Sequence, residues 1–285
     1  MSSFVKIVLL IGIMVGTSIQ SVFKKAYNKR GYSSVFIFGS ITVASAALFF
    51  VASAKYPLSF SADILPYAFG FAAAYCCATI FGMLAINEGS LSLTSLATSY
   101  SLLIPTLWGL LFYNDTATHW FFIGLALLLI SLVLINAKGG EIKITLKWAI
   151  FVLLAFLGNG ICSTVQSGYA KTHAQGTSEF MIIALSAVFL VLLSAAFLTE
   201  RGSIGTSLKK NWYLMVLCGA ANGAVNLFVI LLSPNMNTSL MFPLISAGGI
   251  VLTSLVSIFI YKEKLSLLQY IGMVMGIGAI VFMNL

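Results

Sequence analysis

The sequence predicts an all-α integral membrane protein of ten transmembrane helices, arranged as two inverted five-helix repeats. Three observations carry this expectation. Of the 285 residues, 60% are hydrophobic and only 8% charged, with a mean hydropathy of +1.05. Apolar runs of helix length follow one another along the chain, each near the roughly 20 residues that cross a hydrocarbon core. The residues of the first half recur in the second at a nearly constant offset.

So little polar material cannot cover a soluble domain. Ten spans would use about 200 residues, which leaves short loops and no room for a soluble catalytic domain. With lipid outside, the backbone must satisfy its own hydrogen bonds, and runs of this length select an α-bundle over a barrel.

Span one covers residues 4–23 and stops before Lys24 and Lys25. Its apolar run continues past Lys6 with no small-residue cleavage site, so it reads as a retained helix rather than a cleaved signal peptide. Span two (34–54) lies between turn residues 28–31 and 55–57. Span three (66–86) ends at 87–89, and span four (91–113) contains Pro105 and closes at Asn114 and Asp115. Span five (119–137) is bounded by the charged stretch 138–141. Spans six (148–169) and seven (178–199) follow, and the basic stretch 200–210 reads as the loop before span eight (212–232). The break from Pro234 to Asn237 leads into span nine (237–260), which holds Pro243 and Gly248-Gly249; Lys262 and Lys264 precede span ten (267–284).

Thr17-Ser18-Ile19-Gln20-Ser21 and then Lys25 recur 146 residues later as Ser163-Thr164-Val165-Gln166-Ser167 and then Lys171, and Gly12 recurs as Gly158. Tyr75 and Thr79 in span three match Asn222 and Asn226 in span eight, and Ser92-Leu93 and Ser99 match Ser239-Leu240 and Ser246. Tyr113, Ile123-Gly124 and Asn136 match Tyr261, Ile271-Gly272 and Asn284. The repeats are therefore residues 1–140 (spans one to five) and 141–285 (spans six to ten). Five is odd, so the second copy crosses the membrane in the opposite sense to the first. Inverted copies of this kind place a substrate cavity at the midplane and alternate access around it.

The stretch from Tyr261 to Asn284 is an apolar helix end, a turn with Glu263, a Leu-rich restart and a last helix bearing Gly272 and Gly276. It resembles the closing segment of each half in the drug/metabolite transporter superfamily, EamA-like branch. A weaker copy runs from Ser101 to Asp115 and on to Ile123-Gly124, with Asp115 where the family usually has Glu. The resemblance covers the whole chain at the level of ten helices and two repeats. It implies a carrier whose central cavity is lined by spans one, three, four, six, eight and nine, with five and ten peripheral. Its members move amino acids, nucleotide-sugar-like compounds, drugs and quaternary amines.

The acidic residues Asp63, Glu88, Asp115, Glu141, Glu179, Glu200 and Glu263 all fall in loops or at helix ends, as do His119 and His173. A midplane carboxylate costs about 2.5–3.5 kcal/mol on insertion scales and is kept only for binding or proton relay, so the sequence argues against proton exchange at an intramembrane Glu. The substrate is then expected to be neutral, zwitterionic or an amine held by aromatic faces. Candidate binding residues are Asn222 and Asn226, one turn apart, then Gln20, Gln166, Tyr75, Thr79, Ser99, Ser246 and the deeply placed Trp108. Further hydroxyls at Thr17, Ser18, Ser95, Thr98 and Thr164 serve equally as interhelical hydrogen-bond partners. Pro105, Pro243 and Gly248-Gly249 read as hinges or packing kinks, and Gly12/Gly16 and Gly272/Gly276 as small-residue packing pairs. Cys76, Cys77, Cys162 and Cys218 lack zinc spacing and read as core fillers.

The expected function is a secondary transporter or facilitator of a small polar metabolite, by alternating access at the interface of the two repeats. A lipid-handling or sensory membrane protein is the alternative. A membrane enzyme would need a paired-acid, His-metal or nucleophile cluster, which the sequence does not offer, so no catalytic residue, metal or cofactor is expected. The partners are a small-molecule substrate and the lipid bilayer, with the chain a monomer or homodimer. The +8 net charge is scattered over short loops, not gathered in a stripe with aromatics, so nucleic acid is not a partner. The expected location is the plasma (inner) membrane. Only Lys6, Lys55 and Lys171 of the 15 Lys and Arg lie on the side of the termini, which places both termini outside, whereas the family resemblance implies termini inside.

Overall fold

The computed structural model describes residues 1–29, 34–54, 57–88, 94, 98–136, 145–173, 175–259 and 266–283. Ser92, Ser95, Glu141, Tyr261, Glu263 and Asn284 lie outside these residues. Ten α-helices of ten residues or more occur among the described residues. They are α1 (Ser3–Lys29), α2 (Val35–Ser53), α3 (Leu65–Glu88), α4 (Leu103–Phe112), α5 (His119–Asn136), α6 (Leu146–Thr172), α7 (Thr177–Thr199), α8 (Arg201–Leu232), α9 (Thr238–Phe259) and α10 (Leu267–Met283). Seven of them (α1–α3 and α6–α9) are long and apolar enough to cross a membrane, and α4, α5 and α10 are apolar but shorter. Apolar side chains also face outward, as on α1, where Phe4, Ile7, Ile11, Val15 and Ile19 form an exposed stripe. Such a face suits a lipid surround, not water.

Three segments differ from the sequence expectation. Helix α1 continues past residue 23 to Lys29, because Tyr27 is buried there, its ring tilted 44° against Phe38 at 4.7 Å and its hydroxyl donating to the Ser34 carbonyl at 3.0 Å. Helix α8 starts at Arg201, not 212. Residues 201–211 hold two lysines and two glycines, yet Ile204, Ser207, Asn211 and Leu214 are buried at helical spacing. At 32 residues, α8 is about 48 Å long, well beyond a hydrocarbon core of about 30 Å. In span four, a 3₁₀ turn at Tyr100–Leu102 leads into the ten-residue α4, so Pro105 sits in the first turn, where its missing N–H costs little.

The chain divides into two compact units, Met1–Cys76 with Gly168–Pro234 and Cys77–Ser167 with Asn235–Leu285. Each draws on both sequence halves.

In the first unit, α8 packs against α1 on one side and α2 on another, and α2 packs on α7. Small residues set these distances. A Cβ on Gly12 would stand 2.7 Å from the Phe228 ring, and one on Gly16 would meet Val225. On its other face, Gly219 lies against the Thr42 carbonyl and Ser45, and Gly223 against Phe49. A core of Tyr27, Ile37, Phe38, Ala196, Ile204, Leu214, Met215 and Cys218 closes the end where α1 stops and α2 begins.

In the second unit, α5 packs along α10 and α4 packs on α9. The α5–α10 contact is reciprocal: Gly124 lies against Ala279 and Met283, while Gly272 lies against Leu134 and Ile135. The start of each helix thus meets the end of the other, so the two run antiparallel. Ser131 donates to the Gly272 carbonyl at 2.6 Å, and Gln269 to the Ile135 carbonyl at 3.1 Å. Helix α6 carries Trp148, which is buried with Ala85 and Val152 and donates its indole N–H to Thr94 at 3.1 Å. A tryptophan near a span end suits the membrane interface, but the ring of Trp148 is in the core. Trp120 and Trp212, both exposed, fit the interface.

Candidate functional site

Gly12, Gly16 and Gln20 recur every fourth residue and so share one face of α1. The first two bring α8 close, and two turns on the same face presents an amide to that helix. Gln20 is only 8% exposed. Its Oε1 accepts a hydrogen bond from Asn222 Nδ2 at 3.0 Å. Asn226, one turn further along α8, donates from Nδ2 to both the carbonyl (2.8 Å) and the Oδ1 (3.1 Å) of Asn222. The result is a relay of three amides between α1 and α8, with the Cys218 thiol 4.0 Å from the Gln20 carbonyl oxygen. Both asparagines are half-buried.

The three side chains carry no carboxylate, imidazole or ammonium. Such side chains can offer hydrogen bonds but no proton transfer. In apolar surroundings, amides favour polar partners such as one another.

The hydroxyl candidates behave differently. Thr17 and Ser18 donate to the Met14 carbonyl at 2.8 and 2.9 Å, Thr164 to Gly160 at 2.8 Å and Thr98 to Thr94 at 2.9 Å. These side chains fold back on their own helices.

Of the nine residues expected at a binding site, the structure therefore brings together Gln20, Asn222 and Asn226. Tyr75 lies in the same unit, half-buried on α3 with its ring 5.9 Å from that of Phe71. Thr79, Ser99, Trp108, Gln166 and Ser246 belong to the second unit. There Gln166 is 6% exposed, while Thr79, Ser99 and Ser246 are half-buried. Trp108 is 40% exposed, stacked on Phe112 at 4.2 Å and hydrogen-bonded to Tyr113.

The described acidic residues all sit in loops or at helix ends, as the sequence indicated, and the structure assigns several a local task that sequence reading missed. Asp115 accepts the Ser239 N–H at 2.8 Å at the start of α9. Glu200 accepts the Phe36 and Ile37 N–H groups at the start of α2. Glu179 accepts the Ser59 N–H at 3.0 Å, and Glu88 pairs with Lys147. Proximity of Glu200 to α2 cannot be seen in a sequence where they lie 164 residues apart. The four cysteines are free thiols, Cys76 and Cys218 buried and Cys77 and Cys162 partly so. Among the described residues, no three His, Cys, Asp or Glu side chains group as metal ligands.

A solved structure described as "Crystal structure of protein" is similar over 99% of this chain and 96% of that one, with a TM-score of 0.79 at 14% sequence identity. At that identity the likeness is one of fold. No protein-family model and no curated protein sequence matches the chain.

Proposed function

We propose that the chain is a secondary transporter or facilitator of a small polar metabolite, neutral, zwitterionic or an amine. In this reading it has ten membrane spans in two inverted repeats, residues 1–140 and 141–285, as the EamA-like resemblance implies, and works by alternating access of those repeats.

The observation that carries the reading is the α5–α10 pairing. Gly124 and Gly272 are equivalent positions, 148 residues apart, and so are Ile135 and Met283. Gly124 packs on Met283 as Gly272 packs on Ile135. A contact in which each partner's counterpart repeats it is what a two-fold axis produces, and antiparallel partners put that axis across the helices. Two further equivalent pairs run the same way. Gly39 near the start of α2 faces Leu192 near the end of α7, and Gly109 near the end of α4 faces Thr238 and Ser239 at the start of α9. The Gln20–Asn222–Asn226 relay supplies the solute site, and its lack of charge suits a substrate held by hydrogen bonds. Plasma-membrane residence with both termini outside is the orientation that the Lys and Arg distribution favours.

Flux into proteoliposomes tests this. Saturable uptake is expected for at least one amine, amino acid or nucleobase-like solute, and none across such a panel would overturn the proposal. Asn222→Ala and Asn226→Leu should each abolish that uptake with expression intact. Normal uptake by both would remove these residues from the site.

A further inference from the structure

A cavity of about 700 Å³ opens in the first unit between the α2–α3 connection and the turn joining α6 to α7. Its floor is Ile64 and Tyr169, both buried. Its walls carry two carboxylates, Asp63 and Glu179, with the His173 ring, and no Lys or Arg is among the described lining residues. The shape is held from below. Tyr169 stacks between His173 (4.3 Å, 7° between planes) and Phe180 (4.5 Å, 17°), and Tyr67 meets both Tyr169 and His173 edge-on at 5.3 Å. Gly176 turns the chain in the left-handed region (φ +80°), and a Cβ there would stand 3.0 Å from the Tyr169 hydroxyl. No larger residue would close this wall without strain.

We propose that this cavity is a second small-molecule site, taking an organic amine cation. Its volume is that of a metabolite pocket rather than an ion site, since such pockets run from about 300 to 1,000 Å³. No described group of three acidic, His or Cys side chains offers metal ligation. Two carboxylates over an aromatic floor match an ammonium group joined to an apolar body, the ammonium meeting Asp63 and Glu179 and the body meeting Ile64 and the His173 face. This site stands apart from the Gln20–Asn222–Asn226 relay and does not rest on the transport reading.

Binding to the full chain in phosphatidylcholine nanodiscs, by calorimetry, decides it. The probes are phenethylamine and its neutral isostere 2-phenylethanol. The amine should bind saturably and at least about fivefold more tightly than the alcohol, because each partly exposed carboxylate gives about a two- to fivefold gain. Glu179→Gln keeps an acceptor for the Ser59 N–H while removing the charge. Combined with Asp63→Asn, it should bring the amine down to the affinity of the alcohol. Should the double variant lose its thermal transition, Asp63→Asn alone decides, with a two- to fivefold loss expected. No saturable binding, equal affinities for the two probes, or unchanged affinity in the charge variants would each overturn the proposal.

Discussion

Glu200 reaches across from the α7–α8 junction to the first turn of α2, where both of its carboxylate oxygens lie 3.2 Å from the Phe36 nitrogen. The same carboxylate is 3.3 Å from the Ile37 nitrogen. Helix starts leave their first N–H groups without intrahelical acceptors, and a carboxylate there also meets the positive end of the helix dipole. Ser34, the residue before α2, makes no such side-chain cap. A residue distant in sequence therefore does the capping.

Glu200→Ala should cost about 1–3 kcal/mol of stability, the range for losing a charge-assisted hydrogen bond to a helix start. Glu200→Gln should cost less, because one amide oxygen still accepts. Thermal melts of the detergent-solubilised protein measure both, and an equal loss in the two variants would show that charge alone matters.

Gly219 and Gly202 sit on the same helix and should respond in opposite ways. A Cβ on Gly219 would strike the Thr42 carbonyl, which is backbone and cannot swing aside, whereas one on Gly202 meets nothing within 4 Å. Gly219→Ala should destabilise by about 1–3 kcal/mol, as overpacking does. Gly202→Ala should be neutral or stabilise by up to about 1 kcal/mol through helix propensity. The same melts distinguish them.

The α5–α10 pairing gives a prediction that depends on the proposed repeat. Gly124→Ala would press on the Met283 and Ala279 backbone, and Gly272→Ala on the Ile135 backbone nitrogen at 3.1 Å. Both should destabilise, by about 1–3 kcal/mol and to within a factor of two of each other. A large loss for one and none for the other, in the same melts, would break the equivalence.

Much of the architecture was legible because membrane spans announce themselves by unbroken apolarity. Helices α2, α3, α5, α7, α9 and α10 lie within two residues of the expected spans at each end, and α6 within three. What escaped was helix that carries polar residues inward. Residues 201–211 look like a basic loop until Ile204, Ser207 and Asn211 are seen to be buried in one row. At the site, Gln20 and Asn222 could be chosen by type, since buried amides need partners. That they partner each other, 202 positions apart, is a matter of packing. The cavity around Tyr169 and Glu179 was invisible for the same reason, being built from two connections that share no pattern.

The seam between α5 and α10 is symmetric in its glycines but not in its bonding. Toward Gly272 it is tied by the Ser131 hydroxyl and the Gln269 amide, while the positions 148 residues away are Ala279 and Phe121, which carry neither group. Toward Gly124, the ring of Trp120 lies 5.7 Å from that of Phe282. The Gly272 end of the seam is therefore the more firmly fastened, and Ser131 and Gln269 are its fasteners.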